Sequence, residues 1–177
     1  MIIFISGFIG SGQQLLAQRL ADRLGFHYYT KYKEDTDRFR SAFLSKNTKP
    51  FSYSDVARLH IFKRIVHELP LLSKIHKGLV IPIQLHRAEP RKFLIEAAKR
   101  YRKTLVIWVD SSDEDAHARG TLKGRQIFFR KRSQQEFEPF TVPPLTFKNV
   151  GSLDEATEKF YTFVLEAMKH IKGTPSI

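Results

Sequence analysis

The sequence contains no cysteine, which excludes disulfide bonds, thiolate metal sites and a cysteine nucleophile among its 177 residues. It also has no apolar run long enough to span a membrane. The apolar opening at residues 2–6 is short and carries neither a basic leader nor a cleavage site, so we interpret it as a β-strand and not as a signal peptide. We therefore expect a cytoplasmic protein without a membrane partner.

Acidic residues are scarce: 18 stand against 30 lysines and arginines, which gives a net charge of +12. Such an excess attracts polyanions, of which nucleic acid is the most common. Two interpretations stay open at this point. The basic face contacts nucleic acid or an acidic protein surface, or it is a solvated surface that aids solubility and attracts a small phosphate-rich ligand.

Length and composition are ordinary for a soluble globular protein, with 42% hydrophobic and 27% charged residues. A chain of 177 residues is long enough to bury a proper core, and no low-complexity linker divides it. We therefore expect a single domain spanning residues 1–177. Two basic regions stand out within it, a mostly helical one at about 31–78 and another at about 120–138.

Apolar runs that predict strands alternate along the chain with patterns that predict helices. The predicted strands are 2–6, 27–29, 79–84, 104–109 and 145–148. The predicted helices are 13–24, 35–44, 55–69 (ended by Pro70), one opening at Glu89 and Pro90, 113–119 and 152–171, the last with a capping box at Ser152 and Glu155. This alternation predicts an α/β fold, a three-layer α/β/α sandwich with a five-stranded parallel sheet.

A glycine-rich loop follows the first strand and leads directly into the first helix. Its candidate phosphate-binding residues are Gly7, Gly10, Ser11, Gly12, Gln13 and Gln14. Backbone N–H groups of such a loop and of a helix N-terminus can all point at one anion. The loop is similar to the pattern G-x-x-x-x-G-K-[ST], with Gly7 and Gly12 at the glycine positions. Glutamines occupy the lysine and hydroxyl positions, so a tight turn kept only as scaffold is the alternative.

Further motifs follow the later strands in a fixed order. They are Arg87 and Glu89 after the third strand, Asp110 after the fourth, residues 129–136, and Asn149 with residues 150–153 after the fifth. Together with the loop they make the sequence resemble the P-loop nucleotide kinases, in particular the nucleoside-monophosphate-kinase and dephospho-coenzyme-A-kinase branch. The resemblance covers nearly the whole chain. It implies γ-phosphoryl transfer from ATP to a nucleotide-like acceptor, with an acceptor-side insertion at about 31–78 and a lid at about 120–138.

The resemblance also suggests roles for individual residues. Arginines of the lid would close over the transferring group, and the candidates are Arg119, Arg125, Arg130 and Arg132. Arg132 is the first choice as a catalytic residue, since it matches a Phe-x-x-Arg pattern, with Arg125 beside it. Arg119 and Asn149 would bind the nucleotide, Asn149 at the adenine. The alternative is a solvated basic helix that meets nucleic acid.

Three glutamines depart from the family pattern. Gln13 stands at the lysine, Gln14 at the hydroxyl, and Gln84 where an aspartate is expected at the end of the third strand. A neutral amide cannot replace lysine at a developing anion, and it is a poor magnesium ligand. Asp110 could orient a metal through water, but capping of the next helix is the favoured interpretation. The seven histidines show no metal-ligand spacing, so no metal site is predicted.

These residues lead to two hypotheses. The first is a degenerate P-loop kinase-like protein that binds nucleotide or phosphate weakly, with ATP a possible ligand and Mg²⁺ doubtful. It would act as a binding or structural component, with nucleic acid among the possible partners. The alternative is an active ATP-dependent nucleotide or nucleoside-type kinase with a rearranged phosphate site. The three glutamines weigh against enzymatic activity.

Overall fold

The structure is a computed structural model that describes residues 1–31 and 55–173. The predicted helix 35–44 and the Ser54 cap lie outside these ranges. The strands are β1 (Ile2–Gly7), β2 (His27–Tyr28), β3 (Leu79–Pro82), β4 (Thr104–Asp110) and β5 (Leu145–Lys148). The helices are α1 (Gln13–Leu24), α2 (Asp55–Ile75), α3 (Ala88–Lys99), α4 (Asp113–Ala118), α5 (Arg125–Gln135) and α6 (Leu153–Gly173).

The described strands form one parallel sheet in the order β2-β3-β1-β4-β5. β1 lies at the centre, where Ile5 is paired with Pro82 on one side and with Ile107 on the other. A central parallel strand is covered on both faces, which explains why every residue of β1 is buried. The predicted five-stranded parallel sheet is confirmed.

Successive side chains of β1 enter two separate cores, because strand residues alternate between the faces of a sheet. Ile3 and Ile5 pack with Leu16 and Leu20 of α1 and with Phe160 of α6. On the other face, two further β1 residues pack with apolar residues of α2 and α3: Ile2 and Phe4 against Ile61, Phe62, Ile65 and Leu94. Helices therefore cover both faces of the sheet, as the predicted three-layer sandwich requires.

Two sequence predictions about proline are wrong in detail. The helix was expected to end at residue 69, yet α2 continues through Pro70 to Ile75. Proline removes only one intrahelical hydrogen bond, and Leu69 and Leu72 pack on the core on either side of it, which keeps the chain helical. β3 ends at Pro82 and not at residue 84. Because β2 pairs only with Leu79 and Val80, the absence of an N–H group at Pro82 costs no hydrogen bond between β3 and β2.

A buried arginine fastens the chain after α5 to the start of α3. Arg91 is 4% exposed and its guanidinium donates to Leu85 O (2.9 Å), Glu138 O (2.9 Å) and Pro139 O (2.7 Å). The same group lies 3.9 Å from the centre of the Phe140 ring. We call these contacts the Arg91 clamp. It fixes residues 138–140 before the connection to β5 begins.

Candidate phosphate-binding site

The glycine loop (residues 7–12) leaves the carboxyl end of β1 and requires glycine at two positions for different reasons. A Cβ atom at Gly7 would lie 2.5 Å from the backbone oxygen of Val109, which cannot move away. Gly12 has a φ of 86°, in the left-handed region that favours glycine, and a Cβ there would lie 2.7 Å from Asn149 Nδ2. The loop is therefore packed tightly between β4 and the turn after β5.

Three consecutive carbonyl groups of the glycine loop accept hydrogen bonds from distant side chains. Arg130 Nη1 donates to Ile9 O at 2.8 Å and Thr121 Oγ1 donates to Gly10 O at 2.7 Å. Asn149 Nδ2 donates to Ser11 O at 2.6 Å. These bonds hold the loop in one conformation. The three donor side chains belong to residues more than 100 positions later in the sequence.

The N–H groups on the helix side of the loop have no such partners. Within the part of the chain that the structure describes, the backbone N–H groups of residues 12–15 donate to no acceptor, and α1 has no side-chain cap. The first turn of a helix always leaves such donors, and the helix dipole adds positive potential there. α1 also has no acidic residue in its first turn. Donors arranged in this way can bind an anion such as phosphate.

Arg130 is a brace of the loop and not a free lid residue. Its side chain is only 3% exposed and pairs with Asp113 Oδ1 at 2.6 Å, in addition to its bond to Ile9 O. It also donates to Ser111 O. A guanidinium has five N–H donors in a fixed fork, which suits it to several carbonyl oxygens at once. Arg130 thus ties α5 to the loop, to the end of β4 and to α4.

Arg119 and Asn149, both predicted to bind nucleotide, lie together beside the loop. Arg119 Nη1 donates to Asn149 O at 3.0 Å, and Nη2 donates to Ser111 Oγ at 2.5 Å. Burial lowers the pKa of Arg119; nearby Asp115 acts in the opposite direction. Asn149 is fully buried, and its backbone N–H donates to Asp110 O at 2.7 Å. The pair joins the loop to the carboxyl ends of β4 and β5.

Four buried polar atoms around the loop have no hydrogen-bond partner among the described residues. They are Ser11 Oγ, Gln13 Oε1, Arg119 Nε and Asn149 Oδ1. Most buried polar atoms in proteins are paired with protein groups or with water. The concentration of four such atoms in one place indicates groups that a bound ligand or its water would satisfy.

The three glutamines bring no charge to this site. Gln13 is 8% exposed and its Oε1 lies 3.2 Å from where a Cβ of Gly7 would be, so it lies against the loop. The side chains of Gln14, which is exposed, and Gln84, which is half-buried, make no hydrogen bond within the described residues. These two positions therefore present neutral amide groups, which are poorer magnesium ligands than a carboxylate or a hydroxyl.

Asp110 does not cap the following helix, so that prediction is wrong. Ser112 is the N-cap of α4, where its Oγ accepts a hydrogen bond from the backbone N–H of Asp115 at 3.0 Å. The shorter serine lies one residue before the helix, the position from which a side chain reaches the N3 amide. Asp110 ends β4 as an exposed residue. Among residues 1–31 and 55–173, no group of three or more His, Asp or Glu side chains could hold a metal ion.

The two predicted catalytic arginines are not brought to the loop by any described contact. Arg132 Nε pairs with Glu136 Oε1 at 2.7 Å, one turn further along α5. Arg125 begins α5, and its side chain lies outside the described residues.

Sequence reasoning missed Thr121, because a threonine in a turn carries no pattern that indicates a contact with the glycine loop. The brace role of Arg130 also had no signal in the sequence, because only the packing of α5 distinguishes Arg130 from Arg132.

Solved structures similar to this chain are P-loop kinases. A gluconokinase from Sinorhizobium meliloti 1021 aligns with a TM-score of 0.72 at 14% identity, over 96% of this chain and 94% of that one. The Mycobacterium tuberculosis APS kinase CysC, in complex with AMPPNP and APS, aligns with a TM-score of 0.64 at 16% identity, over 95% and 96%. Chaetomium thermophilum Kti12, in complex with ADP-AlF3, aligns with a TM-score of 0.60 at 17% identity, over 94% and 98%.

No protein-family model matches the sequence, and comparison with curated proteins gives no match. The likeness therefore rests on structure alone. The chain has the P-loop nucleotide-kinase-like fold, an α/β fold with a five-stranded parallel sheet.

Proposed function

We propose that this protein binds a nucleotide or a free phosphoanion at its glycine loop and acts through binding, without transferring a phosphoryl group. One observation carries the proposal. The N–H groups of residues 12–15 have no acceptor, while the preceding carbonyls of Ile9, Gly10 and Ser11 are each held by a side chain. A loop held in this way is preorganised for an anion before any ligand arrives.

A nucleoside di- or triphosphate is the ligand class we favour. Similar structures hold AMPPNP and ADP-AlF3, and ATP is therefore the first ligand to test. Arg119 Nε and Asn149 Oδ1 are buried beside the loop and have no hydrogen-bond partner among the described residues. They offer one donor and one acceptor in addition to the N–H groups of residues 12–15. A free phosphate would use the loop amides but leave these two atoms unused.

Catalysis is disfavoured by the charge of the site. Phosphoryl transfer depends on positive groups placed where negative charge develops, and Gln13 supplies none. Losing one preorganised donor of this kind costs about 3 kcal/mol of transition-state stabilisation. Arg130 does not compensate, because its guanidinium is engaged by Ile9 O, Ser111 O and Asp113.

The first experiment measures ligand binding by thermal denaturation and calorimetry, with ATP, ADP and inorganic phosphate, each with and without Mg²⁺. We expect ATP and ADP to raise the melting temperature, and Mg²⁺ to add little. Gln13→Glu places a carboxylate against the loop and should abolish the shift. The matched control is Gln18→Glu, the same change at an exposed position of α1. No stabilisation by any of the three anions would overturn the proposal.

The alternative function is an active ATP-dependent kinase. The kinase identity of the similar structures favours it, since they include a gluconokinase, an APS kinase and a shikimate kinase. Transfer from labelled ATP is therefore tested with those three acceptors and with nucleoside monophosphates. Turnover that Arg132→Ala abolishes would establish the alternative and overturn the non-catalytic proposal. If the wild-type protein shows no turnover, Gln13→Lys tests whether the missing positive charge alone limits phosphoryl transfer.

A further inference from the structure

A second basic surface lies at the opposite edge of the sheet from the glycine loop. We define the amino edge as residues 74–77, 99–103 and 169–171, at the ends of α2, α3 and α6. These segments meet in space: Arg102 donates to the carbonyls of Ser73 and Lys77, and Lys103 Nζ donates to Ile171 O at 3.0 Å. The three segments contain nine basic or histidine residues and no aspartate or glutamate: Lys74, His76, Lys77, Lys99, Arg100, Arg102, Lys103, Lys169 and His170.

Helix ends explain only part of this charge. Cations are favoured near helix C-termini because they bind the last carbonyls and complement the dipole. Arg102 and Lys103 fulfil that structural role through the bonds just described. Five other cations remain. The exposed side chains of Lys74, Lys77, Lys99, Arg100 and Lys169 make no hydrogen bond or ion pair with any described residue.

Aromatic and apolar groups lie among these free cations. Tyr101 is 43% exposed and stands between Arg100 and Arg102. A groove of about 610 Å³ begins at Lys99 and runs between α3, α6 and the starts of β4 and β5. Phe140, Phe163 and Leu145 line the groove, and Lys99 and His170 belong to both the groove and the amino edge.

We propose that the amino edge binds single-stranded nucleic acid. The free lysines and Arg100 would contact phosphates, and Tyr101 and the groove would receive unstacked bases. Proteins that bind single strands combine a positively charged track with aromatic side chains on which bases stack. An acidic peptide would use the charge, but its acidic side chains offer no aromatic ring to stack on the exposed tyrosine. The surface is separate from the glycine loop, so the inference does not depend on nucleotide binding there.

The test measures fluorescence anisotropy of labelled 20-nucleotide RNA and DNA of mixed sequence, with the full chain at several salt concentrations. We expect binding that weakens steeply with salt. Lys99→Glu/Arg100→Glu should reduce affinity at least tenfold. It should also lower the slope of log K against log salt by about 1.4, because each single-strand phosphate contact contributes about 0.7. The matched control is Lys123→Glu/Lys131→Glu, two exposed lysines outside the amino edge, which should retain the affinity.

Stacking is tested with Tyr101→Ala against Phe93→Ala, an aromatic residue of α3 that is 39% exposed and lies outside the amino edge. Only the first should weaken binding, by about fivefold or more. Melting temperatures confirm that all variants are folded. The inference is overturned if the wild type does not bind at low salt, or if the control pair weakens binding as much as the amino-edge pair. Displacement by polyglutamate with no effect of Tyr101→Ala would also overturn it, by indicating an acidic protein partner.

Discussion

The two edges of the sheet both carry many cations, but they use them differently. At the carboxyl edge, where the strands end beside the glycine loop, the half-buried Arg119 and the buried Arg130 donate to backbone carbonyls, and Arg132 pairs with Glu136. At the amino edge, Lys99 and Arg100 are exposed and have no partner among the described residues. A net charge of +12 therefore does not describe one uniform basic protein. It combines cations that build a site with cations that are free to meet a polyanion.

The choice of residue follows this division. Arginine presents a planar fork that can satisfy several carbonyls in fixed geometry, whereas lysine is a flexible, strongly hydrated point charge. Arg130 binds Ile9 O, Ser111 O and Asp113, and no lysine could make that set of contacts from one place. Four of the five free cations at the amino edge are lysines. The fifth is Arg100, whereas Arg102 is not free, because it binds backbone carbonyls.

The largest expected effect is on the free energy of unfolding, and it distinguishes the buried Arg130 from the neighbouring exposed Lys131. Arg130→Met should lower the free energy of unfolding by about 3 kcal/mol, because two carbonyls lose their donor and Asp113 loses its partner. Lys131→Met, at the exposed neighbouring position, should change it by no more than about 0.5 kcal/mol. Urea denaturation measures both. Equal effects of the two substitutions would contradict the brace role of Arg130.

The next effect concerns the turn after β5. Asn149→Ala removes the donor to Ser11 O in a buried position and should cost about 2 kcal/mol of stability. It should also weaken ATP binding, because Gly12 is then free to move. Val150→Ala, at a residue that is 47% exposed, is the control and should affect neither property. Denaturation and calorimetry on the same samples distinguish loss of stability from loss of binding. Unchanged ATP affinity in the Asn149 variant would show that this bond does not shape the cradle.

A smaller effect is expected from the one arginine of the amino edge that holds backbone. Arg102→Ala should cost about 1 kcal/mol, since the last carbonyls of α2 lose a charged donor. Arg100→Ala, two residues earlier and exposed, should leave stability unchanged. Binding at the glycine loop should be the same in both variants. A reduced ATP affinity would mean that the two edges are coupled.

The smallest expected effect is a pH dependence at the amino edge. His27 stacks on His76 with ring centres 4.1 Å apart, and burial, then His76 and Lys31, lower the pKa of His27 below 6.5. The unfolded chain then binds the proton more readily, so stability should fall as pH drops through about 6.5 and level off below the folded pKa. His27→Asn should reduce the change of stability with pH, and His117→Asn, at an exposed position, should not. Denaturation between pH 5.5 and 7.5 measures the difference, and an unchanged slope in His27→Asn would contradict the assignment.

The fold was largely predictable because its signals are local. Apolar runs, the glycine loop and the capping box at Ser152 and Glu155 mark strands and helix ends within a few residues, and the structure confirms these elements. Pro70 led to the wrong end for α2, because tertiary packing of Leu69 and Leu72 overrides the local preference of proline to end a helix. The sequence pattern carries no information about such packing.

The site was less predictable because its contacts join distant parts of the chain. Thr121 and Arg130 reach the glycine loop across 111 and 121 positions. Spacing within α5 could not distinguish the buried Arg130 from the half-buried Arg132 until the helix was placed against the loop. The missing charge at Gln13, in contrast, is visible in the sequence, because it is a change of residue type at a fixed place in a motif.

The Arg91 clamp has a consequence for engineering the chain. It fixes residues 138–139 through Glu138 O and Pro139 O, and β5 begins again at Leu145. Between these points Val142 is 79% exposed. An inserted segment at residues 141–143 would therefore lengthen a connection anchored at both ends, and each doubling of a loop costs only about 0.6 kcal/mol. A reporter peptide or a fluorescent domain grafted there would leave the sheet in place but alter the groove, which Val142 and Pro143 line.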